Sequence, residues 1–168
     1  MKLLQKLTNM KKIILLTASW TCVFLTMLMI YCFSAENAEK STETSSNVIE
    51  NVLGIVMPEE EITPEVVKKY QFPFRKTAHF GIYMLLGFSL ANAFLSTVKG
   101  KKYISYICAL ACGILYAILD EWHQNFSDGR GPSAKDVLID SLGVLVGILI
   151  FVLFMYIFNR IKAKKQDL

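Results

Sequence analysis

The sequence predicts an all-α integral membrane protein with four transmembrane helices and both termini in the cytoplasm. Hydrophobic residues make up 54% of the 168 residues and charged residues only 19%, a balance too apolar for an ordinary soluble domain of this size. A helix needs about 20 apolar residues to cross a bilayer, and four windows of the sequence reach or nearly reach this length. Lysine and arginine are distributed unevenly between the segments that connect these windows, and this asymmetry predicts the orientation.

Each window accounts for one predicted helix. The first, 13–33, carries no charge and is much longer than the apolar part of a signal peptide, about 7–15 residues, so we expect an uncleaved helix after an N-terminal tail at 1–12. A basic tail at 159–168 follows the last span. The other three predicted spans are about 78–98, 103–121 and 137–158.

The connecting segments differ in charge from one side of the predicted bundle to the other. The N-terminal tail, the turn at 99–102 and the C-terminal tail together contain eleven lysines and arginines and one acid, whereas the opposite side has seven bases and thirteen of the fourteen acids. Because positively charged segments stay in the cytoplasm, both termini are expected inside, with residues 34–74 and 120–136 outside. The net charge of +4 therefore reflects membrane topology, and no nucleic-acid partner is expected.

The acidic external segment, 34–74, is expected to contain short interfacial helices. Its first part, 34–47, is polar and serine-rich, which is typical of a mobile loop. Apolar residues recur near helical spacing in 48–56, which predicts a short amphipathic helix lying either on the membrane surface or against the bundle. Pro64 suits the first turn of another short helix, and Pro73 is expected to break the chain before the second span.

The fourth helix has a recognisable start and a face suited to close packing. Ser133 and Asp136 form a capping-box pattern, and Gly143 and Gly147 form a GxxxG pair. Asp136 and Asp140 lie on the same face as these glycines. We therefore expect both carboxylates to point toward neighbouring helices and not toward lipid.

Polar and ionisable side chains gather where the second, third and fourth helices meet the predicted outer surface. Asp120 directly follows an apolar run, and Asp140 lies one turn inside its helix. An ionised carboxylate in a membrane costs about 2.5–3.5 kcal/mol, and such groups are typical of functional sites. The candidate binding residues, contributed by three helices and a connecting turn, are Arg75, Lys76, His79, Tyr83, Asp120, Glu121, Gln124, Arg130, Asp136 and Asp140.

Some of these residues also have simpler interpretations. Arg75 and Lys76 are the nearest candidate partners for the buried carboxylates, together with Arg130, but the first two would serve equally as anchors at the membrane interface. His79 would fit as an ordinary interface histidine, and Asp136 as an acid that stabilises a helix N-terminus. The functional interpretation therefore depends mainly on the buried aspartates.

Three separated motifs occur in the order found in one family of bacterial membrane proteins. They are Arg75-Lys76-x-x-His79-Phe80, then Asp120-Glu121-x-x-Gln124-x-Phe126-x-x-x-Arg130, and then Asp136 with glycines at 143 and 147. On these motifs the chain resembles the VanZ-like family over residues 70 to about 155, with the family's helices two to four placed at 75–158. Many relatives have asparagine where this chain has Asp140. The resemblance implies a multi-pass protein of the bacterial cell membrane and low-level resistance to teicoplanin, a glycopeptide antibiotic with a fatty-acyl tail, but it implies no mechanism.

A binding or occluding protein is the leading hypothesis for the mechanism. A polar site at the outer leaflet would hold a membrane lipid, a lipid-linked cell-wall component or the acyl tail of teicoplanin, with arginine contacting phosphate or carboxylate groups. Such a site would deny a lipid-tailed antibiotic its membrane anchor. No cofactor is expected, and whether the chain forms a homo-oligomer is left open.

Two alternatives remain. The chain would be a membrane-embedded enzyme if His79 acted with Asp120, Glu121 or Asp140 in acid–base chemistry on a lipid-linked envelope component. The sequence contains no HExxH or other known metal-ligand spacing, so no metal site is expected. The chain would be a small oligomeric transporter if its carboxylates lay near the bilayer midplane, but they cluster at one surface.

Overall fold

The computed structural model describes residues 1–35, 38–57, 62–124 and 133–166, and all of the regular secondary structure in these ranges is helical. In chain order the helices are α1 (Lys2–Ser34), α2 (Ala38–Val56), α3 (Pro64–Thr97), α4 (Lys102–Gln124) and α5 (Ala134–Gln166). Helices α1, α3, α4 and α5 are long and apolar enough to cross a membrane. The predicted all-α membrane fold with four spanning helices is therefore confirmed, whereas the orientation of the termini stays a prediction.

Helices α1 and α5 both extend beyond the apolar windows that predicted them. Helix α1 includes most of the segment expected to be an N-terminal tail, and α5 continues through most of the expected basic tail. Leucine, lysine and glutamine dominate the first turns of α1 and are strong helix formers, and neither extension contains glycine or proline. Lys164 and Lys165 in the last turn of α5 also interact favourably with the negative end of the helix dipole. The apolar windows therefore located the helix centres but not the helix ends.

Helix α2 corrects the expectation that residues 34–47 form a mobile loop. Most of this segment is helical, because a single buried face runs through Ser45, Ile49 and Leu53 at four-residue spacing and packs on α3. Gln71 of α3 also donates two hydrogen bonds to α2 from its side-chain amide. Of the two predicted placements of the amphipathic segment, the structure shows the one against the bundle.

Helix α3 corrects two further expectations, because the short helix at Pro64 and the second span form one continuous helix through Pro73. Proline removes the hydrogen bond to the carbonyl oxygen of Lys69. The helix is nevertheless held on both sides of this point, by Val67 against α2 and by Tyr83 in the bundle core. Tertiary packing therefore overrides the tendency of proline to break the helix. As a result, polar residues from the segment expected to be a loop lie on the same helix as those of the second span.

The central helix of the bundle is α3, which contacts each of the other four, and its contact with α5 depends on glycine. A Cβ atom on Gly143 would lie 2.6 Å from the carbonyl oxygen of Phe80, and one on Gly147 would collide with the backbone of Met84. The predicted close contact through the GxxxG pair is therefore confirmed. Since Asp140 lies about one turn before Gly143, the same contact turns Asp140 toward α3.

An apolar core lies between the four spanning helices, below a polar layer at one end of the bundle. The core includes Leu86 and Leu90 of α3 and Val144 of α5, all fully buried. Large apolar side chains such as Phe24 and Phe154 are exposed on the outer surface, as expected for helices that contact lipid. The polar layer contains the residues that the sequence singled out.

Candidate functional site

A polar pocket with a volume of about 350 Å³ lies where α3, α4 and α5 approach one another. Four sequence-predicted residues from α4 and α5 and three from α3 line this polar pocket; they are Arg75, Lys76, His79, Glu121, Gln124, Asp136 and Asp140. Tyr83 and Asp120 are not part of this lining. Tyr83 donates a hydrogen bond to Asp120, and Asp120 is joined to the pocket by a hydrogen bond from Gln124. Arg130 lies outside the described residues.

Asp120 is the centre of a buried hydrogen-bond network at the base of the polar pocket. Its Oδ2 atom accepts hydrogen bonds from the Ser34 hydroxyl (2.9 Å), the Tyr83 hydroxyl (3.0 Å) and the Gln124 amide (3.3 Å). The amide of Gln124 also donates to Ser34 at 3.2 Å. Helices α1, α3 and α4 thus each supply a donor, and these donors offset part of the cost of burying the carboxylate.

Asp140 is more deeply buried than Asp120, with 2% of its surface exposed compared with 5%. Its Oδ1 atom is buried and has no hydrogen-bond partner among the described residues. The Nδ1 atom of the His79 ring lies 3.9 Å from this oxygen, too far for a hydrogen bond. A buried carboxylate oxygen without a partner is costly, so this oxygen distinguishes the base of the pocket from ordinary packing.

Two contacts hold the first turn of α5 in place. The Lys76 ammonium group forms an ion pair with Asp136, and both side chains are about a quarter exposed. The carboxylate of Glu121 accepts a hydrogen bond from the backbone N–H of Ser133, directly before α5. Lys76 is therefore engaged with Asp136, not with the buried aspartates, whose expected cationic partners were Arg75, Lys76 and Arg130.

Arg75 differs from Lys76 because it makes no hydrogen bond or ion pair within the described residues. The residue is half-buried and lines the polar pocket. It also lines a second depression, the apolar groove, which lies between α1, α2 and α3 and has a volume of about 420 Å³. His79 likewise lines both, so these two residues form the boundary between a charged cavity and a hydrophobic one.

The walls of the apolar groove are mainly aliphatic and aromatic. Three helices contribute side chains to it, including Phe33 of α1, Val48 of α2 and Leu85 of α3. All three are partly or largely exposed, so the groove opens on the outer surface of the bundle. Its position next to Arg75 makes the pair of cavities suited to a molecule with an anionic head and an apolar tail.

His79, Asp120 and Asp140 form the group within the described residues that could hold a metal ion. One ligand atom from each residue lies within 4.8 Å of the others. No metal site was expected from the sequence, because metal-ligand motifs are recognised by short spacings along the chain. These three residues come from three different helices, and no linear motif indicates that they meet.

Sequence reasoning missed several residues that contribute to the site. Ser34 was assigned to the start of a loop, but it lies on the buried face of α1 that also carries Val23 and Ile30 at near-helical spacing. That spacing was the available signal. Lys68 and Gln71 also line the polar pocket, and they were missed because the break expected at Pro73 separated them from the second span.

Comparison with known proteins gives one match. A family model described as VanZ/LLP1 matches residues 19–155, a range that runs from α1 through most of α5 and includes every residue named above in the polar pocket. The match therefore extends to α1, beyond the three helices that carry the motifs. No curated protein and no solved structure matches the chain.

Proposed function

Because the chain belongs to the VanZ/LLP1 family and is a multi-pass membrane protein, we propose that it contributes to resistance to lipid-tailed glycopeptide antibiotics such as teicoplanin. In this proposal a polar site at the outer leaflet binds or occludes a lipid or lipid anchor. The observation that carries the proposal is the contact between the polar pocket and the apolar groove at Arg75 and His79. One amphiphilic molecule would occupy both cavities.

Arg75 is the residue best suited to contact the head of such a molecule. Its planar guanidinium group offers paired donors that match phosphate or carboxylate oxygens. No described residue uses these donors, whereas the ammonium group of Lys76 is engaged with Asp136. We therefore assign the main headgroup contact to Arg75 and a supporting role to Lys76.

The apolar groove would take the acyl chain, but it adds little selectivity. Burying a methylene group from water is worth about 0.8 kcal/mol. The surrounding lipid offers the same gain, because lipid tails are as apolar as the groove. The difference between binding to the protein and remaining in the bilayer must therefore come from the polar pocket, and substitutions there should have the larger effect.

The orientation predicted for this site in the membrane agrees with the proposed role. The distribution of basic residues predicts that the polar pocket faces the outside of the cell. A lipid-tailed glycopeptide that reaches the cell from outside would meet this side of the membrane first, and its tail would lie in the outer leaflet. A protein that holds the tail, or the lipid next to it, would lower the amount of antibiotic anchored near its target.

Antibiotic susceptibility of a sensitive Gram-positive host that expresses the chain tests the proposal. We expect protection against teicoplanin but not against vancomycin, which lacks the acyl tail. Arg75→Ala should abolish this protection. Lys69→Ala is the matched control, because Lys69 is an exposed base on the same helix and does not line the polar pocket; this variant should protect as well as wild type.

Other outcomes would contradict the proposal. Equal protection against both antibiotics would indicate altered wall precursors and not a contact with the lipid tail. Protection that survives Arg75→Ala would remove the headgroup contact on which the proposal depends. Absence of any protection, with the protein present in the membrane, would reject the resistance role itself.

An enzyme is the second candidate function, and the proximity of His79 to Asp140 favours it. Both side chains line the polar pocket, and the Nδ1 atom of His79 lies 3.9 Å from Oδ1 of Asp140, an arrangement that can support acid–base chemistry on a lipid-linked component. Asp120→Asn would distinguish the two roles: binding should survive in part, whereas acid–base catalysis should be lost while the protein still inserts. The clustering of the carboxylates at one end of the bundle gives no support to transport.

A further inference from the structure

We propose that His79, Asp120 and Asp140 bind a divalent metal ion at the base of the polar pocket. The three residues belong to α3, α4 and α5, and their ligand atoms lie within 4.8 Å of one another. Imidazole nitrogen and carboxylate oxygen are common ligands of Zn²⁺, and carboxylates also suit Mn²⁺. This proposal does not depend on the resistance function, since it concerns only the ion and its ligands.

The unpartnered oxygen of Asp140 is the independent observation that points to a ligand. Oδ1 of this aspartate is buried, has no hydrogen-bond donor among the described residues, and lies 3.9 Å from Nδ1 of His79. The two atoms are therefore close, but no hydrogen bond joins them. Zinc ligands lie about 2.0–2.2 Å from the ion, so an ion placed between the two side chains would satisfy both after small side-chain rotations.

Asp120 is positioned for the same role by the groups around it. Donors from Ser34, Tyr83 and Gln124 converge on Oδ2 and fix the orientation of the carboxylate. The other oxygen, Oδ1, accepts none of these three hydrogen bonds. Metal-binding carboxylates are typically oriented by such hydrogen bonds, and removing one of the orienting groups commonly weakens metal affinity about 10–100-fold.

The charge of the region also favours a cation at this position. Besides Glu121, the carboxylates of the two aspartate ligands, Asp120 and Asp140, are nearly fully buried. The base on the neighbouring turn, Lys76, is paired with Asp136, and Arg75 lies at the boundary of the two cavities. A divalent ion would neutralise both buried carboxylates at once, which removes most of the cost of keeping them ionised away from water.

Three protein ligands would leave an open coordination position on the side of the polar pocket. Metal sites that bind small molecules usually have this arrangement, with water or an anionic oxygen in the fourth position. A phosphate or carboxylate group in the pocket could then contact the ion and the guanidinium group of Arg75 together. The ion would thus define the chemistry of the headgroup that the pocket accepts.

Metal content of the full-length protein in detergent tests the proposal. The affinity tag should contain no histidine, and Cys22 and Cys32, which are exposed, should be replaced by serine so that thiols do not bind the ion. After removal of metal with a chelator and addition of Zn²⁺ or Mn²⁺, we expect about one ion per chain by mass spectrometry of the metal. Co²⁺ should give visible absorption bands that these ions remove by competition.

Matched variants assign the ion to the three residues. His79→Ala and Asp140→Asn should each lose stoichiometric binding, and Tyr83→Phe should weaken it about 10–100-fold. The chain has only two histidines, so His123→Ala is the control for the first substitution. Glu50→Gln is the control for the second, because Glu50 is an exposed acid of α2 that does not line the polar pocket. Both controls should bind the ion as wild type does.

Two results would overturn the proposal. One is a wild-type protein that is monodisperse and helical but retains no ion and gives no Co²⁺ bands. The other is binding that persists in His79→Ala and Asp140→Asn, or that is lost in the control variants instead. Because these measurements use no antibiotic, their failure would leave the resistance proposal to be decided by the susceptibility assay.

Discussion

Asp120 accepts three hydrogen bonds on one carboxylate oxygen, and Asp140, on the adjacent helix, has an oxygen that accepts none from the described residues. Two aspartates with the same chemistry and nearly the same burial therefore have different environments. One is held by neutral donors from three helices, whereas the unpartnered oxygen of the other lies 3.9 Å from Nδ1 of His79. The difference suggests that Asp120 is fixed in position and that Asp140 is available to a ligand.

The contribution of a single hydroxyl group can be measured at this site. Tyr83→Phe should lower the stability of the detergent-solubilised protein by about 1.5–3 kcal/mol, because it removes a hydrogen bond to a buried charged group. Tyr83 is fully buried, and phenylalanine keeps the ring and its packing. The expected readout is a lower melting temperature, by about 2–4 °C for each kcal/mol in a chain of this size.

Tyr116→Phe is the matched control for this substitution. The Tyr116 hydroxyl donates to the uncharged carbonyl oxygen of Met27 at 2.6 Å, so its loss should cost only about 0.5–1.5 kcal/mol. An equal or larger loss in Tyr116→Phe than in Tyr83→Phe would contradict the assignment of Asp120 as the charged centre of the network.

Among the helices, the contact between α3 and α5 determines how close the site residues come to one another. The glycines of α5 allow its backbone to touch that of α3, and this brings Asp140 next to His79. If the two helices were further apart, Asp140 of α5 and His79 of α3 would no longer lie close to each other. Small residues in the membrane core therefore determine the geometry of a polar site at its edge.

Glycine-to-alanine substitutions should distinguish the cost of a steric collision between helices from the gain in helix propensity. Gly147→Ala should destabilise the protein by at least about 1–3 kcal/mol, because the added methyl group collides with the α3 backbone. Gly81→Ala, on α3, adds the same group where nothing lies within 4 Å, and it should be neutral or stabilise by up to about 1 kcal/mol. Thermal melting in detergent compares them, and equal melting temperatures would contradict the close contact.

The spanning helices could be predicted from the sequence, but the extent of α2 and α3 could not. Apolar windows report burial in lipid and therefore locate helix centres, as they did for the four spans. Helix α2 depends on the packing of Ile49 and Leu53 against Val67, and α3 stays intact at Pro73 for the same reason. Such contacts join residues distant in sequence, which local patterns do not report.

The residues of the candidate site were predictable for a related reason. Carboxylates and a histidine beside apolar runs are unusual enough to be noticed one by one. Their pairing was not predictable: Lys76 contacts Asp136, and Asp120 is held in part by Ser34 of α1. Which residues on different helices become partners depends on the angles and distances between those helices. Local sequence patterns do not report these angles and distances.

For the whole molecule, the orientation in the membrane is the prediction on which the proposed function depends most. Accessibility of single cysteines in intact cells tests it, in a background without the native cysteines. Lys69→Cys, near the polar pocket, should react with a membrane-impermeant thiol reagent, whereas Lys101→Cys, in the turn between α3 and α4, should react only after permeabilisation. Both lysines are exposed in the structure. The reverse pattern would place the polar pocket in the cytoplasm and contradict the proposed access from the outer leaflet.

The side opening of the apolar groove between α1, α2 and α3 affects how the protein would meet its ligand. A molecule that reaches the groove from within the leaflet has already left the water, so its mole fraction among the lipids, and not its dilution in the medium, determines occupancy. Each copy of a protein that only binds can withdraw a fixed number of amphiphiles from that leaflet. Protection would then rise with the number of copies per unit of membrane area and would fail once the tailed molecules outnumber the grooves.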